Sequence, residues 1–322
     1  MVSIIIPNYN GNKYLDRCLQ SININNILIE EVIIIDNCSM DGGYDWVKEK
    51  YPYVVWKQLD RNYGFSKAVN LGIRMAKGRY VLLLNNDTEI YEGFIEELVK
   101  SMEKDNRIFA VCSKMIQYYH QDLIDDAGDE YTILGYTYKR GDGAPVNTYD
   151  KEDEVFSACA GAALYRKDIF NEIGYFDEQF FAYMEDVDIS YRARIYGYKN
   201  MYCPTAQVLH IGSATTGSKY NAFKVKLAAR NNIYVSYKNM PFIQLLVNAP
   251  FLAMGIAIKY IFFYKKGFQK EYGAGIKEGV RTLKNIQKVP FRWKHIKYYM
   301  IIEVQLFKNI FKYIISKRVN KR

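Results

Sequence analysis

Two aspartates directly follow apolar runs in this sequence, and that placement suits the binding of a cation or a phosphate. Asp36 ends the run EVIIID at residues 31–36, and Asp87 ends the run VLLLNND at residues 81–87. Such runs predict buried parallel strands, and in open α/β sheets ligands bind beyond the carboxyl ends of those strands. A carboxylate at that edge suits a hard divalent cation, which in turn binds phosphates. The sequence Asn-Asn-Asp is also ordinary turn chemistry, so these residues alone leave both interpretations open.

A pair of acids, Glu185 and Asp186, stands at the predicted start of a helix that begins near residue 183. The helix dipole stabilises anions in a first turn, so we expect an ionised carboxylate of the kind that a general base needs at neutral pH. Acids that merely decorate a helix N-terminus are the alternative. His210 ends a predicted strand before Ile, Gly and Ser, and a site role and a structural role both stay open for it.

An alternation of strands and helices over the first 105 residues positions the two aspartates. We predict strands at 3–6, 31–36, 53–58 and 80–84 and helices at 12–25, 66–76 and 91–104. Strand–helix alternation of this length produces right-handed crossovers and a parallel sheet. Asp36 and Asp87 are therefore expected to point into one crevice.

The pattern changes in the second third of the chain. We predict a strand near 108–115, loops and short strands over 117–153 that cover the site, and two short strands at 199–202 and 206–210. The segment 156–165 consists mostly of small residues, which let a backbone approach a ligand closely or simply pack tightly. Composition alone excludes neither alternative.

Composition and cysteine usage describe a globular protein of 322 residues, long enough for one large domain or two. The five cysteines are an odd number and are scattered without a C-x-x-C pair. This pattern argues for reduced thiols and a cytoplasmic location, and against a disulfide framework or a cysteine zinc site. The sequence MVSIIIP at the N-terminus is expected to be a first strand rather than a signal peptide.

The charge divides the chain into two regions with different expected partners. Residues 219–322 contain 22 Lys and Arg residues and three acidic residues, a net charge of about +19, whereas residues 1–218 carry about −10. The basic region includes an apolar run at 241–258 and an amphipathic stretch at 298–315. Aromatic, basic amphipathic helices are typical of in-plane binding to an anionic membrane surface. The alternatives are a helical subdomain that packs its apolar face on the first region, a single spanning helix, and nucleic-acid binding, which the apolar blocks disfavour.

These features together resemble family 2 glycosyltransferases with the GT-A fold, and within that family the rhamnosyltransferase-like branch. The likeness covers about residues 2–216. It is carried by five blocks in the family's order: SIIIPNYNG (3–11), DNCS (36–39), RNYGF (61–65) with Asn70 and Gly72, NND (85–87) and ED (185–186). The block NND occupies the place of the metal-binding D-x-D motif, of which only the last acid, Asp87, is retained.

The resemblance implies an α/β fold: a GT-A, Rossmann-like, mostly parallel twisted sheet flanked by helices. It implies a catalytic domain at 1–218, with nucleotide-sugar binding in about 1–105 and the acceptor side in about 106–218. Residues 219–322 are then expected to form a basic, amphipathic, helical region that associates with the membrane.

The resemblance also implies roles for individual residues. Asp186 is expected to be the general base, and Glu185 is expected to hydrogen-bond the acceptor sugar. Asp87, together with the donor diphosphate, is expected to bind Mg²⁺ or Mn²⁺, and His210 is a candidate third contact. The expected contacts of the nucleotide sugar are Pro7, Tyr9, Asn10, Asp36, Arg61, Asn62, Gly64, Asn85 and Asn86.

The implied reaction is an inverting transfer of a sugar from a dTDP- or UDP-sugar to a hydroxyl of a glycan, expected to be lipid-linked, in cell-surface polysaccharide synthesis. L-Rhamnose, hexoses and N-acetylhexosamines all stay open as the sugar. The enzyme is expected in the cytoplasm, at the inner face of the cell membrane, with its oligomeric state left open. The alternative function is a non-catalytic nucleotide- or glycan-binding module, and the presence of both Asp87 and Asp186 favours the enzyme.

Overall fold

The computed structural model describes residues 1–212 and 220–319, with side chains up to residue 315. Its strands are β1 (Val2–Asn8), β2 (Ile29–Asp36), β3 (Val54–Gln58), β4 (Tyr80–Leu84), β5 (Thr88–Ile90), β6 (Ile108–Gln117), β7 (His120–Asp126), β8 (Asp129–Tyr131), β9 (Thr137–Lys139), β10 (Asp153–Val155), β11 (Ala162–Arg166) and β12 (Lys199–His210). Its helices are α1 (Asn12–Ser21), α2 (Gly43–Lys50), α3 (Phe65–Met75), α4 (Phe94–Met102), α5 (Phe170–Ile173), α6 (Glu185–Ile195), α7 (Ala222–Asn239), α8 (Phe242–Lys265), α9 (Gln269–Thr282) and α10 (Ile296–Val319). The domain boundary predicted between residues 218 and 219 lies outside the described residues.

The first four strands form the parallel half of a ten-stranded sheet, in the order β3-β2-β1-β4. Both faces of this half are buried. Ile4 and Ile6 pack in one core with α1, whereas Ile5 packs in a second core with Val69 and Ile73 of α3. Successive side chains of β1 thus enter different cores, which is why the strand reads as a continuous apolar run. The predicted α/β fold, with a parallel sheet over this part of the chain, is confirmed.

Beyond β4 the sheet is mixed. Strand β11 runs antiparallel to both β4 and β6, and β12 runs parallel to β6 and antiparallel to β5. The prediction of two short strands at 199–202 and 206–210 was wrong, because both belong to the single strand β12. Pro204 falls where the register of β12 against β6 shifts, between Cys203 and Gln207, so its missing N–H leaves no ladder bond unmade.

Residues 117–153 form the short strands and loops that were predicted to cover the site. Strand β7 pairs with β6, and β8 and β9 form a separate hairpin. One end of this hairpin is fixed to the main body, because Asp129 and Ser157 exchange two backbone hydrogen bonds of 3.0 Å. Its turn lies on α8, where a Cβ atom added to Gly255 would lie 1.9 Å from the carbonyl oxygen of Leu134. The hairpin therefore connects the sheet with the C-terminal helices.

The C-terminal helices share a core with the rest of the protein. Val235 of α7 and Leu306 of α10 are fully buried with Val187 and Tyr191 of α6. Helix α8 differs from them: in the described part of the chain it alone is long and apolar enough to cross a membrane by length and composition. Only 11% of the residues in its most apolar 18-residue window are buried.

Candidate active site

Side-chain hydrogen bonds tie together the carboxyl ends of β1, β2 and β4. The Asn8 amide donates to Asp36 Oδ1 (2.7 Å), and the Asn86 amide donates to Asn8 Oδ1 (2.6 Å). Ser39 donates to both oxygens of Asp36, from its hydroxyl to Oδ1 (2.5 Å) and from its backbone N–H to Oδ2 (2.8 Å). Because Asn8, Asp36 and Asn86 are nearly fully buried and bonded to one another, they form a rigid floor at the predicted crevice.

The loop after β1 forms a rim beside this floor. Pro7 belongs to β1 itself, and Tyr9 is 37% exposed. The backbone N–H of Asn10 donates to Ser39 Oγ (2.8 Å), and its side-chain oxygen accepts a hydrogen bond from the N–H of Met40 (2.9 Å). The loops after β1 and β2 are thereby held together, and Tyr9 is the predicted donor contact whose aromatic ring is open to a ligand.

The predicted contacts Arg61, Asn62 and Gly64 lie in the loop before α3. Asn37, next to the buried floor, accepts a hydrogen bond from the N–H of Tyr63 (3.2 Å) and donates to the carbonyl oxygen of Gly64 (3.2 Å). Asn62 Oδ1 accepts a hydrogen bond from the N–H of Gly64 (2.8 Å). Arg61 is exposed, with its guanidinium 4.5 Å from the centroid of the Tyr63 ring. Asn62 thus shapes the loop, and Arg61 stands at its solvent-exposed rim.

The loop before α6 closes onto Gly64. Gly64 has a φ of +84°, and a Cβ atom at this position would lie 2.4 Å from the carbonyl oxygen of Phe181. Phe181, Tyr183 and Met184 have φ values of 65°, 68° and 70°. Three non-glycine residues in the left-handed region are unfavourable, and such strain concentrates at functional sites. Asn231 of α7 holds the loop by donating hydrogen bonds of 2.7–2.9 Å to three of its carbonyl oxygens.

Asp87 and His210, which are 123 positions apart, are brought together by the pairing of β5 with β12. Nε2 of His210 lies 3.5 Å from Asp87 Oδ1, and the N–H of Ile211 donates to the carbonyl oxygen of Asp87 (3.0 Å). The other ring nitrogen of His210 lies 2.8 Å from Asp125 Oδ2. Burial alone would lower the pKa of His210, but the hydrogen bonds with Asp125 and Asp87 raise it to about 9.

A divalent cation fits beside this pair. A carboxylate suits Mg²⁺ and Mn²⁺ alike, whereas an imidazole favours the transition metal, and two protein ligands leave positions for diphosphate oxygens and water. The side-chain amides of the two neighbouring asparagines have other contacts. Asn86 donates to Asn8, and Asn85 lies close to Gly161, where its Nδ2 would be 3.1 Å from an added Cβ atom. Asp87 and His210 are therefore the side chains that would hold the ion, which would take the place of the proton between His210 Nε2 and Asp87.

Asp125 is a site residue that the sequence analysis missed. It lies on β7 and bonds both His210 and Lys139 of β9, whose Nζ is 3.0 Å from Asp125 Oδ2. Although burial alone would raise the pKa of Asp125, Lys139 and His210 hold it below its usual range. A carboxylate behind a metal-binding imidazole fixes its tautomer and orientation. The acid-rich run at 125–129 was the one available signal, and it stands in a weakly periodic segment.

Asp186, the predicted base, is the second residue of α6. Its Oδ1 accepts a hydrogen bond from the N–H of Val187 (2.8 Å), and its Oδ2 accepts one from the N–H of Ala160 (3.5 Å). Burial raises the pKa of Asp186, and these backbone N–H groups offset only part of that shift. A raised pKa makes the carboxylate a stronger base, which suits proton abstraction near neutral pH.

Glu185, the first residue of α6, is deeply buried. It is 6% exposed, and Oε2 has no hydrogen-bond partner among the described residues. Burial, and secondly the neighbouring Asp186, raise the pKa of Glu185 well above its usual value. Burial therefore opposes the helix dipole, which by itself favours the ionised form, and the ionised state of this pair stays a prediction.

A cluster of further groups adjoins Asp186: Asp126, Asp129 and Cys159 have ligand atoms within 4.8 Å of one another. Burial raises the pKa of Asp126 to about 6 and the pKa of Asp129 well above its usual value, with neighbouring acids adding to both shifts. Lys139 is the nearest cation, 3.8 Å from Asp126 Oδ2. This side of the crevice therefore holds more carboxyl groups than cations to balance them.

The small-residue segment joins the two sides. The N–H of Asn85 donates to the carbonyl oxygen of Gly161 (2.8 Å), and the adjacent Ala160 donates its N–H to Asp186. The backbone at 160–161 thus runs directly between the D-x-D position and the predicted base. The small residues of this segment are 0–3% exposed at Ala158, Ala160, Ala162 and Ala163, so they pack tightly, and close approach of the backbone to a ligand stays a prediction.

A family model described as glycosyl transferase family 2 matches residues 3–174, more than half of the chain. The chain belongs to that family. The resemblance of the sequence to the rhamnosyltransferase-like branch of this family, with the GT-A fold, is confirmed. Glycosyltransferase activity with a nucleotide-sugar donor in cell-surface glycan synthesis is the function that these findings support.

Relatives of this glycosyltransferase agree with the assignment. It is 26% identical over 240 residues to an N-acetylglucosaminyl-diphospho-decaprenol L-rhamnosyltransferase of Mycobacterium tuberculosis, covering 67% of this chain and 78% of the relative. Its fold is similar to that of GalNAc-T7 solved with UDP, GalNAc and Mn²⁺ (TM-score 0.59, 19% identity, 73% of this chain and 47% of the other). Staphylococcus aureus TarS 1–349 with UDP-GlcNAc is also similar (TM-score 0.57, 18% identity, 88% and 81%).

Proposed function

We propose that this chain is an inverting, metal-dependent glycosyltransferase that moves a sugar from a nucleotide-diphosphate sugar to a hydroxyl of a lipid-linked glycan. The observation that carries the proposal is the arrangement at 160–161. The N–H of Asn85, two residues before Asp87, donates to the carbonyl oxygen of Gly161, and the N–H of the adjacent Ala160 donates to Asp186. The pair of Asp87 and His210 and the proposed base are thus tied to one short backbone segment, which suits a displacement at a carbon held near both.

Each side chain has a defined task in this displacement. Asp186 accepts the proton of the acceptor hydroxyl, whose oxygen attacks the anomeric carbon. The carbon–oxygen bond to the diphosphate breaks, its electron pair leaves with the diphosphate, and attack from the opposite face inverts the configuration. Glu185 hydrogen-bonds the acceptor sugar, and burial raises its pKa well above its usual value. A divalent cation held by Asp87 and His210 would supply charge neutralisation at the leaving diphosphate.

The donor is proposed to be a dTDP- or UDP-sugar, with L-rhamnose as the first sugar to test. The name of the Mycobacterium tuberculosis relative supports both the sugar and a lipid-linked acceptor for this chain. The UDP complexes of the two similar structures support a nucleotide donor, and the Mn²⁺ in one of them supports a divalent cation. We place the enzyme in the cytoplasm, peripheral to the inner face of the cell membrane, and propose no nucleic-acid partner.

A thermal-unfolding screen of UDP, dTDP, GDP and CMP, each with and without Mn²⁺ or Mg²⁺, tests the donor site. A ligand at 100 times its Kd adds about 2.7 kcal/mol to the free energy of unfolding, so a shift of a few degrees is expected for one nucleotide in the presence of the metal. The corresponding sugar nucleotides are then assayed for transfer to lipid-linked acceptors. Absence of a shift with every nucleotide, in a folded protein, contradicts the proposed donor site.

A non-catalytic nucleotide- or glycan-binding module is the second candidate. It predicts nucleotide binding without transfer to any acceptor and without donor hydrolysis. The burial of Asp186 and Glu185 argues against it, because two carboxyl groups with raised pKa values are costly to retain in a module that only binds.

A further inference from the structure

Helix α8 presents its polar residues to the protein and its apolar residues to the solvent. Gln244 and Asn248 both donate hydrogen bonds to Glu303 of α10, at 2.5 and 3.0 Å, and Lys259 lies 4.7 Å from the ring of Tyr136. The opposite side of the helix is apolar and exposed by 46–75%: Phe242, Ile243, Leu246, Val247, Met254, Ile258, Ile261 and Tyr264. A surface helix of a water-soluble protein has the reverse arrangement.

Helix α10 also exposes many apolar residues. The amide of Asn309 is buried and donates to the carbonyl oxygen of Tyr131 (2.8 Å), and Glu303 faces α8. Its exposed apolar residues lie among three exposed lysines, Lys297, Lys308 and Lys312, and are Met300, Ile301, Val304, Phe307, Phe311, Ile314 and Ile315. The rings of Phe251 and Phe307 meet with centroids 5.4 Å apart, so the two helices lie side by side. We call the exposed apolar residues of α8 and α10 the docking face.

Polar contacts and close packing hold α8 to the protein along its length. Asn248 bonds to α10, Gly255 lies against the β8–β9 turn, and Phe263 stacks on Tyr272 of α9 with ring centroids 5.1 Å apart. These contacts recur every seven or eight residues, about two helical turns, so one side of α8 stays on the protein throughout. A helix that crossed a bilayer would have to leave all three contacts.

The charge around the docking face is positive. Lys265 and Lys266 follow α8, and Arg292 and Lys294 flank Trp293, which is 79% exposed. Residues 219–322 carry about +19, and the acidic side chain nearest the docking face, Glu303, points inward. A second copy of the chain would bring like charges together, whereas an anionic lipid surface complements them.

We propose that the docking face lies in the plane of an anionic bilayer, with α8 and α10 parallel to its surface and their apolar side chains at the boundary of headgroups and acyl chains. Trp293, Arg292 and Lys294 then sit at the headgroup level, where aromatic and basic side chains are favourable. The helix α8 lies on the membrane and does not span it.

The β8–β9 hairpin gives this surface a consequence for the acceptor, which rests on the proposed function. Asp129, at one end of the hairpin, belongs to the cluster beside Asp186, and Leu134, at its turn, lies on α8. Five residues of chain reach at most about 18 Å. The base therefore works close to the membrane surface, and the acceptor is a lipid-linked glycan with only a few sugars between the lipid and the reacting hydroxyl.

Flotation of the full chain with vesicles tests the docking face without any transfer assay. One set contains phosphatidylcholine alone, and the other contains phosphatidylcholine with phosphatidylglycerol. We expect binding to the anionic set that weakens as salt increases. A triple variant of exposed residues, Leu246→Gln, Ile258→Gln and Phe311→Gln, is expected to weaken binding at least about tenfold.

The matched control is the triple variant Ile27→Gln, Val55→Gln and Tyr91→Gln. It removes exposed apolar residues from the first 105 residues of the chain, far in sequence from α8 and α10. It is expected to bind vesicles as the unaltered chain does. Thermal unfolding of both variants verifies that they are folded. Equal binding by the docking-face variant and the unaltered chain overturns the proposal, as does failure of the unaltered chain to bind anionic vesicles.

Two further measurements separate the competing occupants. Light scattering in the absence of lipid is expected to show that the docking-face variant and the unaltered chain have the same oligomeric state. An oligomer that only this variant breaks would identify a second copy as the occupant and overturn the proposal. Extraction of cell membranes at alkaline pH is expected to release the protein, whereas retention would show a spanning helix. Transfer to a soluble glycan without vesicle binding would refute the docking face alone.

Discussion

The carboxyl groups of two parts of the proposed site have different environments. We call the group around Asp36, Asp87 and Asp125 the donor side, and the group around Glu185 and Asp186 the acceptor side. On the donor side Asp36 accepts three hydrogen bonds, and Asp125 has a lowered pKa between Lys139 and His210. On the acceptor side burial raises the pKa values of Glu185 and Asp186. The donor side therefore keeps fixed negative charge, which suits a cation, and the acceptor side has carboxyl groups with raised pKa values, which suit proton transfer near neutral pH.

The difference follows from how each side is built. The donor side is made of parallel strand ends, where short polar side chains and loop N–H groups reach the carboxylates. The acceptor side is made of the start of α6, where Val187 packs with residues of β8, α7 and α10 and where Glu185 is only 6% exposed. Four experiments test this difference between the two sides, and the variant with the largest expected effect comes first.

Asp186→Asn is expected to have the largest effect, a loss of transfer of about 10²–10⁴-fold, because the amide cannot accept the acceptor's proton. Nucleotide binding is expected to stay near normal, since the donor side is unchanged. Initial rates and nucleotide affinity measure the two quantities. Asp45→Asn, in the first turn of α2, is the control and should transfer at the normal rate. Transfer by Asp186→Asn within about tenfold of normal would mean that the base is another group.

Asp125→Asn is expected to weaken metal binding by about 10–100-fold, because His210 loses the carboxylate that orients its ring. Titration with Mn²⁺ followed by electron paramagnetic resonance, without nucleotide, measures this directly. Asp122→Asn, exposed on the same strand, is expected to bind Mn²⁺ normally. Unchanged affinity in the Asp125 variant would remove this residue from the donor side.

Gly64→Ala probes the contact between the two sides. The added Cβ atom would meet the Phe181 carbonyl oxygen at 2.4 Å, on a backbone with φ of +84°, so we expect a loss of about 1–3 kcal/mol in the free energy of unfolding. Gly42 has a φ of +74° and no atom within 4 Å of an added Cβ atom. Gly42→Ala should therefore lose only the free energy that the backbone strain costs. Urea unfolding compares the free energies of unfolding of the two variants. Equal losses would show that the Phe181 loop moves aside freely.

Asp126→Asn is expected to give the smallest effect, on stability. The pKa of Asp126 is about 6 in the folded protein, against about 3.9 when unfolded, so the folded state binds more protons between these values. Asp126 then lowers the free energy of unfolding as pH rises from about 4 to 6, and the variant should lack this contribution and show a smaller fall over that range. We expect it to be more stable at pH 7 by roughly 1–2 kcal/mol, since an amide can still accept from the N–H of Gly128.

Urea unfolding at several pH values measures this effect, with Asp45→Asn as the control for loss of one surface charge. A variant that is less stable than the unaltered chain at pH 7 would show that the ionised carboxylate is well compensated. In that case the acceptor side would resemble the donor side, and the contrast between them would not hold.

Much of the donor side could be predicted from the sequence, because its information is local. The apolar runs before Asp36 and Asp87 indicate buried strands, and parallel strands place their carboxyl ends at one edge. The acceptor side was harder to predict from the sequence. Asp129 stands in a segment without clear periodicity, as Asp125 of the donor side also does, and the burial of Glu185 depends on elements far away in the chain.

The sequence by itself determined the parallel half of the sheet, the family and the positions of Asp87 and Asp186 at element ends, since periodicity and motif order are properties of neighbouring residues. Only the tertiary structure decided the partner of His210, the raised pKa values of the acceptor-side acids and the outward apolar face of α8. Each of these depends on which distant surfaces meet: pairing of β5 with β12 joins residues 123 positions apart, and burial by other elements sets a pKa. An apolar helix has the same pattern whether it faces a core or a membrane.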